Sequence, residues 1–148
     1  MARTRVIASN QRGLTLIELL AVLVILSIIA AIAIPSISNI IENSRIKAEK
    51  SNALIILSTA DLYFVENPSR DGYTNSVGVP TLIKEGYLDG EGLGNNSLWV
   101  ADFQPSWICG DAYTGKNRVK FKKATAEMIR TSGTELVVGT EQCGDMAE

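Results

Sequence analysis

Hydrophobic and polar positions follow three different rhythms along the chain. From Leu14 to Ile34, eighteen of 21 residues are apolar, interrupted only by Thr15, Glu18 and Ser27. Such a run is apolar all round, as a membrane span or a fully buried helix must be. As a helix it measures about 31 Å at roughly 1.5 Å per residue, enough to cross a hydrocarbon core of about 30 Å. From Ser36 to Glu66 the pattern becomes two-sided. Ile37, Ile41, Ser44, Ala48, Ile55 and Leu62 form one small-to-apolar stripe at helical spacing, and Glu42, Arg45, Lys47, Glu49 and Lys50 fall mostly away from it. A second group, Ala53, Ile56, Leu57, Ala60 and Phe64, widens the buried face near the end. The helix is therefore expected to be exposed or partner-packed over 36–52 and core-packed over 53–64. Asn67-Pro68 ends it, because the residue before a proline disfavours the α region. A helix from Thr15 to Glu66 is about 78 Å long, more than a compact domain of this size needs, so its apolar half must be covered by lipid or by other chains.

The third rhythm begins after residue 67. Residues 67–78 (NPSRDGYTNSVG) and 91–97 (EGLGNNS) read as loops, with a short helix between them from near Pro80 to Gly86. From Leu98 onward period-two alternation favours strands at 98–103, 106–110, 117–123 and 134–141, with Tyr113-Thr114-Gly115-Lys116 as a hairpin turn. Residues 124–132 read as a further strand in preference to a short helix. The fold class that follows is α+β. A long N-terminal helix with a protruding hydrophobic half lays its C-terminal half on a small antiparallel sheet.

Charge orients this arrangement. The first thirteen residues carry Arg3, Arg5 and Arg12 and no acid. Positive charge before an apolar span keeps that end cytoplasmic, so everything after Pro35 is expected outside. A cleaved secretory signal would have an apolar core of about 7–15 residues and an A-x-A-like site. This run is longer and continues straight into Pro35 and a helical pattern. The chain has no histidine and two cysteines, which excludes Ser-His-Asp and Cys-His nucleophilic sites as well as His-containing and all-cysteine zinc sites. Asp71, Asp89, Glu91 and Asp102 are scattered through loops and form no catalytic pair, and Asp89-Gly90-Glu91 lacks a recognisable calcium loop. Neither a catalytic residue, nor a metal, nor a cofactor is expected.

Glu18 is the odd residue of the apolar run, because a carboxylate there costs about 2.5–3.5 kcal/mol on insertion scales and is usually paired or functional. Around it, Gln11-Arg12-Gly13-Leu14-Thr15-Leu16-Ile17-Glu18 resembles the prepilin processing motif of type IV pilins and type II secretion pseudopilins. The basic leader, the glycine, the acid, the apolar span and Pro35 agree in register with that family over roughly residues 8–40. Leu14 stands where phenylalanine is usual, and Ser27 where many members carry glycine.

The resemblance implies four segments. Residues 1–13 are a leader removed by a prepilin peptidase, 14–34 a transmembrane and filament-core helix, 35–66 its amphipathic continuation, and 67–148 a globular head. It implies cleavage between Gly13 and Leu14, N-methylation of Leu14, and a helix kink at Pro35. It also implies a register contact between Glu18 and the N-terminal amine of a neighbouring subunit. The implied partners are other copies in a helical filament, other pilins, the peptidase, a membrane platform protein and an assembly ATPase. The implied location is the cytoplasmic membrane with the head outside, then a periplasmic or extracellular filament. A monomeric membrane-anchored binding domain is the reading from another class.

Cys109 and Cys143 both fall in the part expected outside, where two cysteines most simply form one bridge; two free thiols are the alternative. The family often closes a C-terminal loop in this way. Lys116, Arg118, Lys120 and Lys122 alternate along an expected strand and so share one face. The plain reading is a solvated or lysine-protected strand; contact with DNA, an anionic surface or another subunit are the alternatives. Removing the leader takes the formal charge from −2 to −5, which weighs against a dedicated DNA binder. Trp99 and Trp107 could stack bases, but as tryptophans in alternating strands they are expected in the core.

Overall fold

The computed structural model describes residues 15–68, 75–90, 93 and 97–144. The leader, the Gly13–Leu14 bond, Asp71 and Glu91 lie outside the described residues. The chain divides into two compact units, Met1–Asn39 and Ile40–Glu148, and helix α1 (Leu16–Glu66) contributes to both.

In the first unit α1 is an apolar helix whose large side chains from Leu16 to Ile34 are all exposed. It is the one helix among the described residues that is long and apolar enough to cross a membrane. Pro35 lies inside it and removes one backbone donor from its hydrogen-bond ladder.

In the second unit α1 meets a five-stranded sheet of order β1-β2-β3-β4-β5. The strands are β1 (Ser76–Gly78), β2 (Trp99–Ala101), β3 (Trp107–Tyr113), β4 (Arg118–Thr125) and β5 (Val137–Val138), with helices α2 (Val79–Lys84) and α3 (Ala126–Thr131) between them. The first three pairings are antiparallel; β5 joins β4 in parallel. The core lies between α1 and one sheet face, where Ala53, Ile56, Ala60 and Phe64 meet Val100, Ile108, Val119 and Phe121.

Several expectations change here. The second apolar group on α1 is the buried face, whereas Ile41, Ile55 and Leu62 of the first stripe are exposed. At about 100° per residue the two sets lie on nearly opposite sides of the helix, so one packed face leaves the other outside. Lys50, grouped with the exposed charges, is buried and only 4% exposed. It follows Ile46 by four residues and precedes Ala53 by three, which places it on the core face.

The 67–78 loop ends in strand β1, whose central Val77 is buried at the sheet edge. Of residues 124–132 only Ala124 and Thr125 are strand, as the end of β4, and 126–131 form helix α3. Thr125 ends β4, and its hydroxyl accepts a hydrogen bond from the Met128 amide, capping a helix built of good helix formers. Within 134–141 only Val137 and Val138 pair, because α3 returns the chain alongside β4 in the parallel sense. β3 extends past its expected end to Tyr113, and the hairpin closes over 114–117, with Gly115 at φ 91.

Trp99 and Trp107 are not in the core. They lie on the sheet face opposite α1, in edge-to-face contact with ring centroids 5.2 Å apart.

Candidate functional site

The start of α1 is a capping box. Thr15 donates to Glu18 Oε2 from both its backbone N–H (3.2 Å) and its hydroxyl (3.0 Å), and the Glu18 amide donates back to the Thr15 hydroxyl at 3.4 Å. Amide donors at a helix N-terminus have no intrahelical acceptor, and this reciprocal pairing satisfies two of them. Glu18 therefore starts the helix as well as interrupting the apolar run. The role of Thr15 was missed in the sequence, although Thr-x-x-Glu before an apolar stretch is its signature. Further along, the Ser27 hydroxyl donates to the Leu23 carbonyl at 2.7 Å, which hides its polar group within the helix.

In the second unit, polar contacts tie α1 to the β3–β4 hairpin, to the end of α3 and to the segment after α2. Glu42 Oε1 accepts from the Thr114 hydroxyl (2.8 Å) and the Asn117 side-chain amide (2.7 Å), and Arg45 donates to the Thr114 carbonyl at 3.5 Å. These contacts pin the β3–β4 hairpin. The Thr114 hydrogen bond, with Asn117 and the nearby Arg45 and Lys116 charges, outweighs desolvation and holds the Glu42 carboxyl below its usual range. Lys50 donates to the Ser132 carbonyl and hydroxyl and the Gly133 carbonyl at 2.7–3.3 Å. It thus places a cation at the C-terminal end of α3, where the helix dipole favours one. Burial pushes the Lys50 amine down from its ordinary value, with Glu135 opposing. Tyr87 donates to Glu66, and that bond raises the phenol's pKa by favouring its protonated form.

The sheet face away from α1 carries the remaining chemistry. Cys109 and Cys143 form a disulfide with Cα atoms 6.0 Å apart, which holds the C-terminal segment against this face. Opposite Cys109, β4 has a bulge: Ile108 pairs with Ala124 and Gly110 with Phe121, so that Lys122 and Lys123 face one residue. Lys123 takes φ 47, and its amide donates to the Cys109 sulfur at 3.1 Å. Gly110 has φ 120, and a Cβ there would meet the Ser97 carbonyl oxygen at 1.9 Å.

The four basic residues do not form one uniform stripe. Lys116 sits in the hairpin turn, close enough to Glu42 to act on its charge. Arg118 pairs with Asp111 at 3.1 Å and lies over the Tyr113 ring. Lys120 and Lys122 have no ion-pair partner among the described residues. Together with Trp99, Gly110 and the Gln142–Cys143 segment they line an open groove of about 360 Å³. Among the described residues no three His, Cys, Asp or Glu side chains gather as a metal site.

No curated protein and no solved structure matches the chain. Residues 8–34 match the prokaryotic N-terminal methylation motif, a stretch that contains Gly13, Leu14, the Thr15–Glu18 capping box and the apolar part of α1. Proteins of that motif family are structural, and an apolar helix near the N-terminus fits a single-pass membrane anchor. The chain thus carries at its N-terminus the signature of type IV prepilins, followed by an α+β arrangement of the pilin-like kind.

Proposed function

We propose that the protein is a structural subunit of a type IV pilus or pilus-like filament. The observation that carries this reading is the methylation motif over residues 8–34, in register with an acid at Glu18 and an unbroken apolar helix. The chain inserts with its basic leader in the cytoplasm and its head outside. A prepilin peptidase cuts between Gly13 and Leu14, and Leu14 is methylated. The freed amine of Leu14 then pairs with Glu18 of a neighbouring subunit. Thr15 occupies Oε2 of Glu18, and Oε1 accepts no hydrogen bond among the described residues, so the carboxylate keeps an oxygen for that pairing. An unpaired acid in an apolar bundle is costly, and a paired one fixes the axial register between subunits.

The step from lipid to filament gains little apolar burial, since lipid is as apolar as a helical bundle. External work is therefore required, and a membrane platform protein with a cytoplasmic ATPase supplies it. The same processing serves pseudopilins of type II secretion or DNA-uptake systems. Glu18→Ala tests the assembly mechanism: the variant is cleaved normally but yields few or no filaments in the sheared surface fraction. Filaments at wild-type levels would overturn the pairing. Peptides of this chain as the bulk of sheared filaments identify a major subunit; their absence, with a secretion or transformation defect on deletion, identifies a pseudopilin.

A further inference from the structure

The outer face of the sheet joins two features that have no role in the assembly just described. One is a pair of lysines, Lys120 and Lys122, that point the same way along β4 without ion-pair partners among the described residues. The other is an aromatic cluster beside them. Phe103 stacks on Trp107 at 5.5 Å and remains 47% exposed, and Trp99 meets Trp107 edge-on and lines the lysine groove. Tyr113, 46% exposed, stands on the same face at the far end of β3.

Two tryptophans in alternating strands would ordinarily pack in the core, and their placement outside is what gives the lysines a second meaning. A solvated or edge-protecting strand needs the charges but not the rings. Within this patch Arg118, Lys120, Lys122 and Lys123 outnumber Asp102, Asp111 and Glu141 by one, against a chain whose net charge is negative. A face that sets these cations beside half-buried Trp99 and, next to the groove, exposed Phe103 fits an anionic polymer carrying flat rings, because phosphates meet the cations and bases stack on the rings.

We propose that this outer face binds single-stranded nucleic acid, with Lys120 and Lys122 on the phosphates and Trp99 and Phe103 against the bases. Trp107 supports the platform from beneath, since Phe103 and Lys123 already lie over its ring. The disulfide is part of the site, because Cys143 and the adjoining Gln142 form one wall of the groove. The proposal does not depend on the filament reading, since binding is measured on the unassembled subunit.

The test is fluorescence anisotropy of a labelled oligothymidylate titrated with the oxidised, detergent-solubilised full chain, read together with tryptophan emission. The expected result is binding that weakens as salt rises and quenches tryptophan emission. Lys120→Glu with Lys122→Glu should weaken it by about tenfold or more, whereas the charge-matched pair Lys47→Glu with Lys84→Glu leaves it unchanged. Lys120→Gln with Lys122→Gln replaces the reversal pair if circular dichroism shows that the latter is misfolded. Absence of binding at low salt overturns the proposal, as does equal loss in the two charge-reversal pairs. Tighter binding to heparin, duplex DNA or anionic phosphatidylglycerol vesicles without tryptophan quenching also overturns it, by making the face a general anion surface.

Discussion

Two stretches of the same helix handle apolar side chains in opposite ways. Between Leu16 and Ile34 every large apolar residue of α1 is exposed, whereas between Ile46 and Phe64 one face is buried under the sheet and its opposite carries Ile55 and Leu62 to the outside. The second stretch obtains its stability from its own chain. The first joins no core among the described residues, so its burial has to come from lipid or, in the proposed filament, from other subunits. In the filament reading proposed above, folding of the head and assembly are therefore separable, and substitutions should sort cleanly between them.

Ile56→Ala is expected to have the largest effect. The side chain is fully buried, and the lost burial together with the cavity should cost about 4 kcal/mol. Ile25→Ala, an identical truncation in the exposed stretch, should leave head stability within about 0.5 kcal/mol of wild type. Urea unfolding of the detergent-solubilised chain, followed by Trp99 and Trp107, measures both; equal losses would break the comparison.

Replacing Cys109 and Cys143 with serine should cost about 3–4 kcal/mol by the same assay, since the bridge closes a loop of 34 residues' separation. No change in the first stretch should accompany it.

Lys50→Met comes next, at about 1–3 kcal/mol near neutral pH, because the Ser132 and Gly133 carbonyls lose a charged donor. The sign of its pH dependence is set by the lowered amine pKa. The penalty for burying the charge is fully present below the folded-state pKa and is relieved as pH rises from there towards the unfolded value of 10.5. Wild type should therefore gain stability relative to Lys50→Met across that alkaline window.

Glu42→Gln should have the smallest effect. The lowered carboxyl pKa contributes stability that is present above the unfolded value of 4.5 and lost as pH falls through the folded-state value. The difference between wild type and Glu42→Gln should shrink in that acid window, as pH-dependent melting would record.

Much of this division was legible in the sequence. The apolar run is continuous, Ala53, Ile56, Leu57, Ala60 and Phe64 recur with the helical period, and Asn67-Pro68 stops the helix within a residue of its observed end. What was not legible depended on contacts distant in sequence. Lys50 reads as a surface charge until the end of α3 is brought beneath it, and Val77 reads as a loop residue until β2 pairs with it. Alternation alone does not say which face of a strand meets the helix, and the tryptophans lie on the face opposite the expected one. The α3 segment reads as a strand because Ala124 and Thr125 do continue β4 before the Thr125 cap redirects the chain.

The central claim, that the N-terminal run is a processed prepilin segment, is tested most directly by intact-mass and peptide mass spectrometry of the mature protein. The account predicts a chain that begins at Leu14 and carries one methyl group on its amine. A chain that still begins at Met1, or one cut near Ala31, would contradict it.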